Sequence, residues 1–293
     1  MSNFVEQAVI GLASGGIYAL LALAIALIHR ASGVINFAQG QMATLSAFVC
    51  WSLMNHGWAF WPAFGATIVV SLAGGMALEA AVIRPAQRGP LAGVVLLTVG
   101  LLIAFSGVTT WIWGGGPRRF EGPFSTAPVH IGGVAVSKQE LGTIVVTLVA
   151  LGLMGVVLTR TRLGLGLRAV ATNPQGARLA GIRVTWMAAL GWGLATVLGA
   201  VAGVIAAPSL GLEPDMMRTV FVYALAAAVL GGMDSPLGAV VSGLGLGVLV
   251  NLVGSYVDWV DGGLRLATAF AVLLAVLVVR PSGLFGSRTL GRA

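Results

Sequence analysis

Residues 89–117 read GPLAGVVLLTVGLLIAFSGVTTWIWGGGP, and residues 184–212 read VTWMAALGWGLATVLGAVAGVIAAPSLGL. Neither run contains a charged side chain. A helix needs about 20 apolar residues to cross the hydrocarbon of a bilayer. It satisfies its backbone polar groups internally, which lipid requires. Both runs therefore read as transmembrane helices. Working outward, the same test marks candidate spans near residues 7–28, 36–54, 60–81, 92–113, 141–159, 185–207, 219–232, 238–257 and 264–280. The expected count is nine, within a range of eight to ten. The segment 219–232 is short for a full crossing, and 36–54 begins with polar residues, so either reads as a half-helix or a broken helix.

The composition of the 293 residues agrees, with 9% charged and 58% hydrophobic side chains. A soluble domain carries about 25% charged residues, so a soluble globular domain and a disordered chain are both excluded. The single cysteine, Cys50, allows no intramolecular disulfide. A transmembrane β-barrel needs short alternating strands, and the apolar runs here are long and uninterrupted. The reading is an all-α, polytopic transmembrane bundle, with residues 1–293 forming one membrane domain.

Charge then orients the spans. One set of connectors holds Arg30, Arg84, Arg88, Arg160, Arg162, Arg168, Arg178, Arg183, Arg280, Arg288 and Arg292, against Glu79 and Asp234, and sums to +9. The other holds Arg118, Arg119, Lys138, Arg218 and Arg265, against Glu6, Glu121, Glu140, Glu213, Asp215, Asp258 and Asp261, and sums to −2. The positive-inside rule puts the first set in the cytoplasm. With nine spans the N-terminus is outside and the C-terminus inside. The pI near 11 reflects these loops rather than nucleic-acid binding. The first residues lack the basic region of a cleavable signal, so the first apolar segment reads as a retained span.

Several chemistries are missing. The one lysine, Lys138, lies in no Walker A pattern, so this chain has no such site for ATP. The Gly164-Leu165-Gly166 stretch lacks the third glycine and preceding strand of a dinucleotide fingerprint. His29, His56 and His130 fall in different connectors, without the spacing of a metal site. Ser14 has no histidine in a span to act as its base, which argues against an intramembrane hydrolase. Glu79 reads as an interfacial partner of Arg84. The spans otherwise nearly lack Asp, Glu and His, which argues against a proton-coupled carrier.

Three stretches carry information. In the connector 160–184, Asn173 suits an N-cap, Pro174 the first helical position, and Gly181 a left-handed C-terminal cap. Ala177, Leu179 and Ala180 would form a small apolar face. A short helix along the membrane surface follows; a plain positive-inside loop would explain the arginines but not this helix capped at both ends. In Gly33-Val-Ile-Asn36-Phe37-Ala38-Gln39-Gly40-Gln41, three amides stand at the edge of an apolar run and need partners in lipid. Transporters use such broken helices to present polar groups to a cavity. In Gly231-Gly232-Met-Asp234-Ser235-Pro236-Leu-Gly238-Ala239, a similar glycine turn precedes another small-residue helix. The pair points to an inverted repeat and makes Asn36, Phe37, Gln39, Gly40, Gln41, Asp234 and Ser235 the candidate pathway residues. The G-x-x-x-G pairs Gly11/Gly15, Gly199/Gly203 and Gly243/Gly247 suit close helix packing.

These motifs, in order, resemble the permease subunits of branched-chain (LIV-type) amino-acid ABC importers. The resemblance runs through Gly15-Gly16-Ile17-Tyr18-Ala19-Leu20, Ile35 to Gly40, Arg84-Pro85, Arg168 to Ile182, Gly199 to Gly203, Gly231 to Ala239, and Arg280-Pro281-x-Gly283-Leu284-Phe285-Gly286, nearly the whole chain. It implies a bacterial cytoplasmic-membrane permease that pairs with a second, homologous permease. Two cytoplasmic ATPase subunits would use ATP, and an extracytoplasmic binding protein would deliver the solute. The family's coupling loop maps onto Arg168, Asn173, Pro174, Ala177, Arg178, Gly181 and Ile182. The implied solute is a branched-chain amino acid or a related amide, urea or organic acid. Where the family usually has His-Gly-Glu, this chain has Gln39-Gly40-Gln41, which makes an altered solute plausible if that motif touches it. The competing reading is a self-sufficient secondary carrier or channel.

Overall fold

The computed structural model describes residues 2–131, 134–257 and 262–286. Asp258, Asp261, Arg288 and Arg292, counted above for charge, lie outside the described residues. The apolar runs become helices α1 (Ser2–Ser32), α2 (Gln39–Asn55), α3 (Phe60–Leu78), α4 (Arg84–Ala86), α5 (Leu91–Trp113), α6 (Lys138–Arg160), α7 (Arg162–Thr172), α8 (Pro174–Leu179), α9 (Val184–Leu210), α10 (Arg218–Gly231), α11 (Pro236–Tyr256) and α12 (Gly262–Val279). Among the described residues, six stretches are long and apolar enough to cross a membrane: Phe4–Ser32, Phe60–Ala86, Leu91–Trp113, Lys138–Arg160, Val184–Leu210 and Pro236–Tyr256. The other three of the nine expected segments fall on the shorter helices α2, α10 and α12.

The span that starts with α3 reaches Ala86 through a π-turn at Glu79–Ile83. Pro85 explains the irregularity. It has no N–H to give to residue 81, and its ring crowds that carbonyl, so the chain widens by one residue before it.

Depth in the bundle follows from side-chain size. Every residue from Ala19 to Ile28 of α1 is buried, and so is nearly all of α9 from Leu198 to Ala207. These stretches are rich in Ala and, in α9, Gly, small residues that let helices pack closely at the centre of a membrane bundle. By contrast α5 leaves Leu96, Ile103, Trp111 and Ile112 exposed, a face for lipid or a partner subunit. The G-x-x-x-G pairs act within the chain. A Cβ on Gly15 of α1 would lie 2.7 Å from the Leu244 carbonyl oxygen of α11, and one on Gly243 would lie 2.6 Å from Ala19 Cα. On α9, a Cβ at Gly203 would lie 2.8 Å from the Ala43 carbonyl carbon of α2. These helices meet backbone to backbone, where any side chain would hold them apart.

The chain is mostly helical as expected; beside the helices, β1 (Pro128–Ile131) and β2 (Val134–Ser137) pair antiparallel, with Val129 opposite Val136. Two expectations need correction. His29 is not in a connector but in the last turn of α1, and His56 caps the end of α2. Glu79 pairs with Arg84 as expected, yet it is buried rather than interfacial (1% exposed). Arg84 Nη2 donates to Glu79 Oε2 at 2.5 Å and also to the Thr185 carbonyl at 3.1 Å, tying this end of the span to the start of α9.

Candidate functional site

The site begins where α1 stops. Gly33 takes a left-handed conformation (φ +73°), and its N–H caps the His29 carbonyl at 2.7 Å. The chain then turns back into the bundle. Asn36 Oδ1 accepts the Ala38 N–H at 3.1 Å, and Asn36 Nδ2 donates to Gln39 Oε1 at 3.2 Å. The other end of the Gln39 amide donates to the Ala195 carbonyl of α9 at 2.9 Å. Glycine at 199 makes room for it, because a Cβ there would lie 2.8 Å from Gln39 Nε2. Asn36 and Gln39 have no solvent exposure, so each amide bond in this chain offsets a desolvation cost of several kcal/mol in lipid.

Gln41 points the other way in the structure. Its Nε2 donates to Asp215 Oδ1 at 2.8 Å, and Ser106 of α5 donates its hydroxyl to the same oxygen at 3.1 Å. Gln41 Oε1 is buried and has no partner among the described residues. Asp215 lies in the turn before α10, where the Arg218 N–H donates to the Asp215 carbonyl at 2.9 Å. Arg218 is the first residue of α10, and its guanidinium makes no ion pair among the described residues. A carboxylate beside a helix N-terminus is favoured by the unsatisfied N–H groups there.

These groups face a cavity of about 800 Å³. Phe37, Gly40 and Gln41 form one wall, Ser106, Thr110 and Trp111 another, and Asp215, Arg218 and Phe221 a third. Gly40 is a packing requirement, since a Cβ there would lie 3.0 Å from Phe221 Cβ. Of the expected pathway residues, Phe37, Gly40 and Gln41 line this cavity, while Asn36 and Gln39 brace it from behind. Asp234 and Ser235 do not belong to it. Ser235 accepts the Gly238 N–H at 3.1 Å as the N-cap of α11, and Asp234 is 61% exposed, 4.0 Å from His29. Asp215, Arg218 and Ser106 were missed. The available signal was the acidic stretch Glu213-Pro214-Asp215 directly before a helix too short to span.

The connector 160–184 takes the expected caps. Asn173 Oδ1 accepts the Gly176 N–H at 2.9 Å, and Pro174 opens α8. Gly181 is left-handed (φ +79°), with Ile182 N–H to the Ala177 carbonyl at 2.9 Å and Gly181 N–H to the Arg178 carbonyl at 3.0 Å. That pair of bonds is a Schellman ending. Ala177 is buried, whereas Leu179 is 91% exposed. Before it lies α7, a second helix that the sequence reading did not separate, capped by Thr161 Oγ1 on the Gly164 N–H at 3.1 Å. Gly166 of α7 is buried, and a Cβ there would lie 2.9 Å from Met187 Sδ of α9. Gly164 and Gly166 are thus packing glycines, and no phosphate loop is needed to explain them.

Residues 7–279 match the family described as branched-chain amino acid transport system / permease component. The chain belongs to this family. It is 28% identical over 298 residues to the high-affinity branched-chain amino acid transport permease BraD of Pseudomonas aeruginosa, covering 97% of this chain and 96% of that one. It is 26% identical over 299 residues to the corresponding permease LivH of Escherichia coli K12, with 97% and 96% covered. Among solved structures, an inward-facing metal-chelate type ABC transporter matches with a TM-score of 0.50 and 18% identity, over 92% of this chain and 85% of that one. That likeness concerns the fold. By its family, the chain is an ABC transporter permease subunit. Among the described residues no cluster of His, Cys, Asp and Glu could hold a metal ion.

Proposed function

We propose that this permease subunit pairs with a second, homologous permease, and that the cavity at Gln41, Asp215 and Arg218 lies on the solute pathway between them. The observation that carries this reading is the buried Gln41 amide holding one oxygen of the Asp215 carboxylate, with the Arg218 guanidinium, which makes no ion pair among the described residues, lining the same largely apolar cavity. Asp215 suits an ammonium group. Arg218 and the first N–H groups of α10 suit a carboxylate. Phe37, Leu102, Ile103 and Val222 suit an aliphatic side chain. A zwitterionic amino acid satisfies all three, in keeping with the names of the relatives. Urea and neutral amides leave both charges unmatched, and an organic acid leaves Asp215 unmatched.

Coupling falls to the connector 160–184. Arg168 on α7 and Asn173, Pro174, Ala177, Arg178, Gly181 and Ile182 in and around the capped α8 form the docking element, which presents Leu179 to a cytoplasmic ATPase. Two such ATPases would supply the energy, and an extracytoplasmic binding protein the solute. Nine crossings, with α2, α10 and α12 as the short ones, leave the N-terminus outside and the C-terminus inside. The test is uptake of labelled leucine, urea and benzoate by cells expressing the whole transporter. Leucine uptake that requires the ATPases and falls at least tenfold in Asp215→Asn supports the reading. Uptake of urea or benzoate in preference to leucine refutes the zwitterion assignment. Leucine uptake that persists without the ATPases identifies a carrier.

A further inference from the structure

A second cavity, of about 430 Å³, lies on the flank of the bundle between α1, α6, α7 and α11. Its walls are apolar, with Leu27 from α1, Leu158 from α6, and Leu237 and Val241 from α11. It also holds two cations, Arg30 in the last turn of α1 and Arg168 on α7, and no acidic side chain lines it. Arg30 has no hydrogen-bond or ion-pair partner among the described residues, and Arg168 makes one long bond, Nε to the Gly164 carbonyl at 3.4 Å. Two arginines beside an apolar groove, with no carboxylate between them, form an unmatched anion site.

The groove opens sideways. Leu237 is 70% exposed, and Val241 is also exposed. α7, which supplies Leu167 and Arg168 to the groove, leaves Leu163 and Leu165 exposed, and Trp186 at the start of α9 is exposed as tryptophans in an interfacial belt are, which suits a segment lying along a membrane surface. By the orientation proposed above, this is the cytoplasmic surface. A water-soluble ATPase meets the tip of α8, not the side of the bundle. A ligand with one negative group at the membrane surface and a long apolar tail reaching into the bilayer matches every wall of the groove.

We propose that this groove binds an anionic phospholipid of the cytoplasmic leaflet. The phosphate sits between Arg30 and Arg168, and one acyl chain lies along Leu27, Leu158 and Leu237. Basic pockets between spans on that side are suited to such headgroups. The lipid bridges the end of α1 to α7, the helix that carries the coupling loop, so the docking element is held to the bundle by a component of the membrane.

The test uses the complete transporter, purified and placed in nanodiscs of phosphatidylcholine with and without phosphatidylglycerol. Native mass spectrometry reads the lipid retained after mild delipidation. Phosphatidylglycerol is expected to be retained over phosphatidylcholine. Arg30→Gln should lower that retention by about fivefold, the weight of one basic residue at an anionic surface. Val241→Trp, which fills the groove without touching a charge, should lower it as well. Size-exclusion chromatography reports that each variant is assembled. Equal retention of the two lipids, or retention unchanged in both variants, overturns the proposal. So does a cross-link from a cysteine at position 237 to the second permease, which would make the groove a subunit interface.

Discussion

The turns at Gly33–Gln41 and Gly231–Ala239 look alike in sequence and do different things. Each has a left-handed glycine, Gly33 at φ +73° and Gly232 at φ +96°, followed by polar residues and a helix rich in small side chains. In the first, the polar side chains reach distant elements, Gln39 to Ala195 of α9 and Gln41 to Asp215 in the turn before α10. In the second they serve the turn itself: Ser235 caps its own helix, and Asp234 is solvent-exposed. The backbone of the second turn is instead tied to the C-terminal segment, with Leu284 N–H to the Leu230 carbonyl at 2.8 Å and Phe285 N–H to the Gly231 carbonyl at 3.1 Å. One turn lines a cavity, and the other holds the segment at Leu284 and Phe285. A turn's shape is local, but its use depends on what packs across from it.

Substitutions can break this contrast. The largest effect is expected at Gly231→Val. A side chain there meets the backbone of Gly238 directly, so the variant should fail to accumulate as folded protein in fluorescence-detected gel filtration. Gln41→Glu comes next. It sets a second carboxylate against Asp215 in a cavity of low polarity, which like charges oppose. Leucine uptake should fall at least tenfold, equivalent to about 1.4 kcal/mol, while the amount of membrane protein stays unchanged. Uptake equal to the parent's would remove Gln41 from the pathway.

Gly33→Ala is a milder change. Nothing lies within 4 Å of a Cβ there, so only the left-handed backbone opposes it, at about 1–2 kcal/mol. A thermal-stability assay should register that loss with folding intact, in contrast to Gly231→Val. The smallest effect belongs to Ser235→Ala, which removes one helix cap worth about 1 kcal/mol. Uptake kinetics there should match the parent. A change in solute selectivity would return Ser235 to the pathway and restore the symmetry between the turns.

Much of the scaffold could be read along the chain. The uncharged runs around Leu91–Trp113 and Val184–Leu210 became helices, because lipid leaves an apolar backbone few alternatives. The caps at Asn173, Pro174 and Gly181 appeared where their side chains or missing Cβ allow them, since a cap is a contact among neighbours in sequence. The cavity was half visible. The three amides announced that partners were needed, but did not say which. Asp215 is 174 residues from Gln41, and among connector charges it read only as one more acid.

Hydropathy and capping are set by residues within a few positions of one another, so composition and spacing alone determined that this chain is a helical membrane protein with a capped surface loop. Which polar groups meet is set by helices that cross far apart in sequence. Gly15 against Leu244 and Gly203 against Ala43 let those helices approach to backbone contact, and Gly40 leaves room for the Phe221 side chain. Only that approach brings Gln41, Ser106, Asp215 and Arg218 to one cavity, and leaves Asp234 and Ser235 outside it.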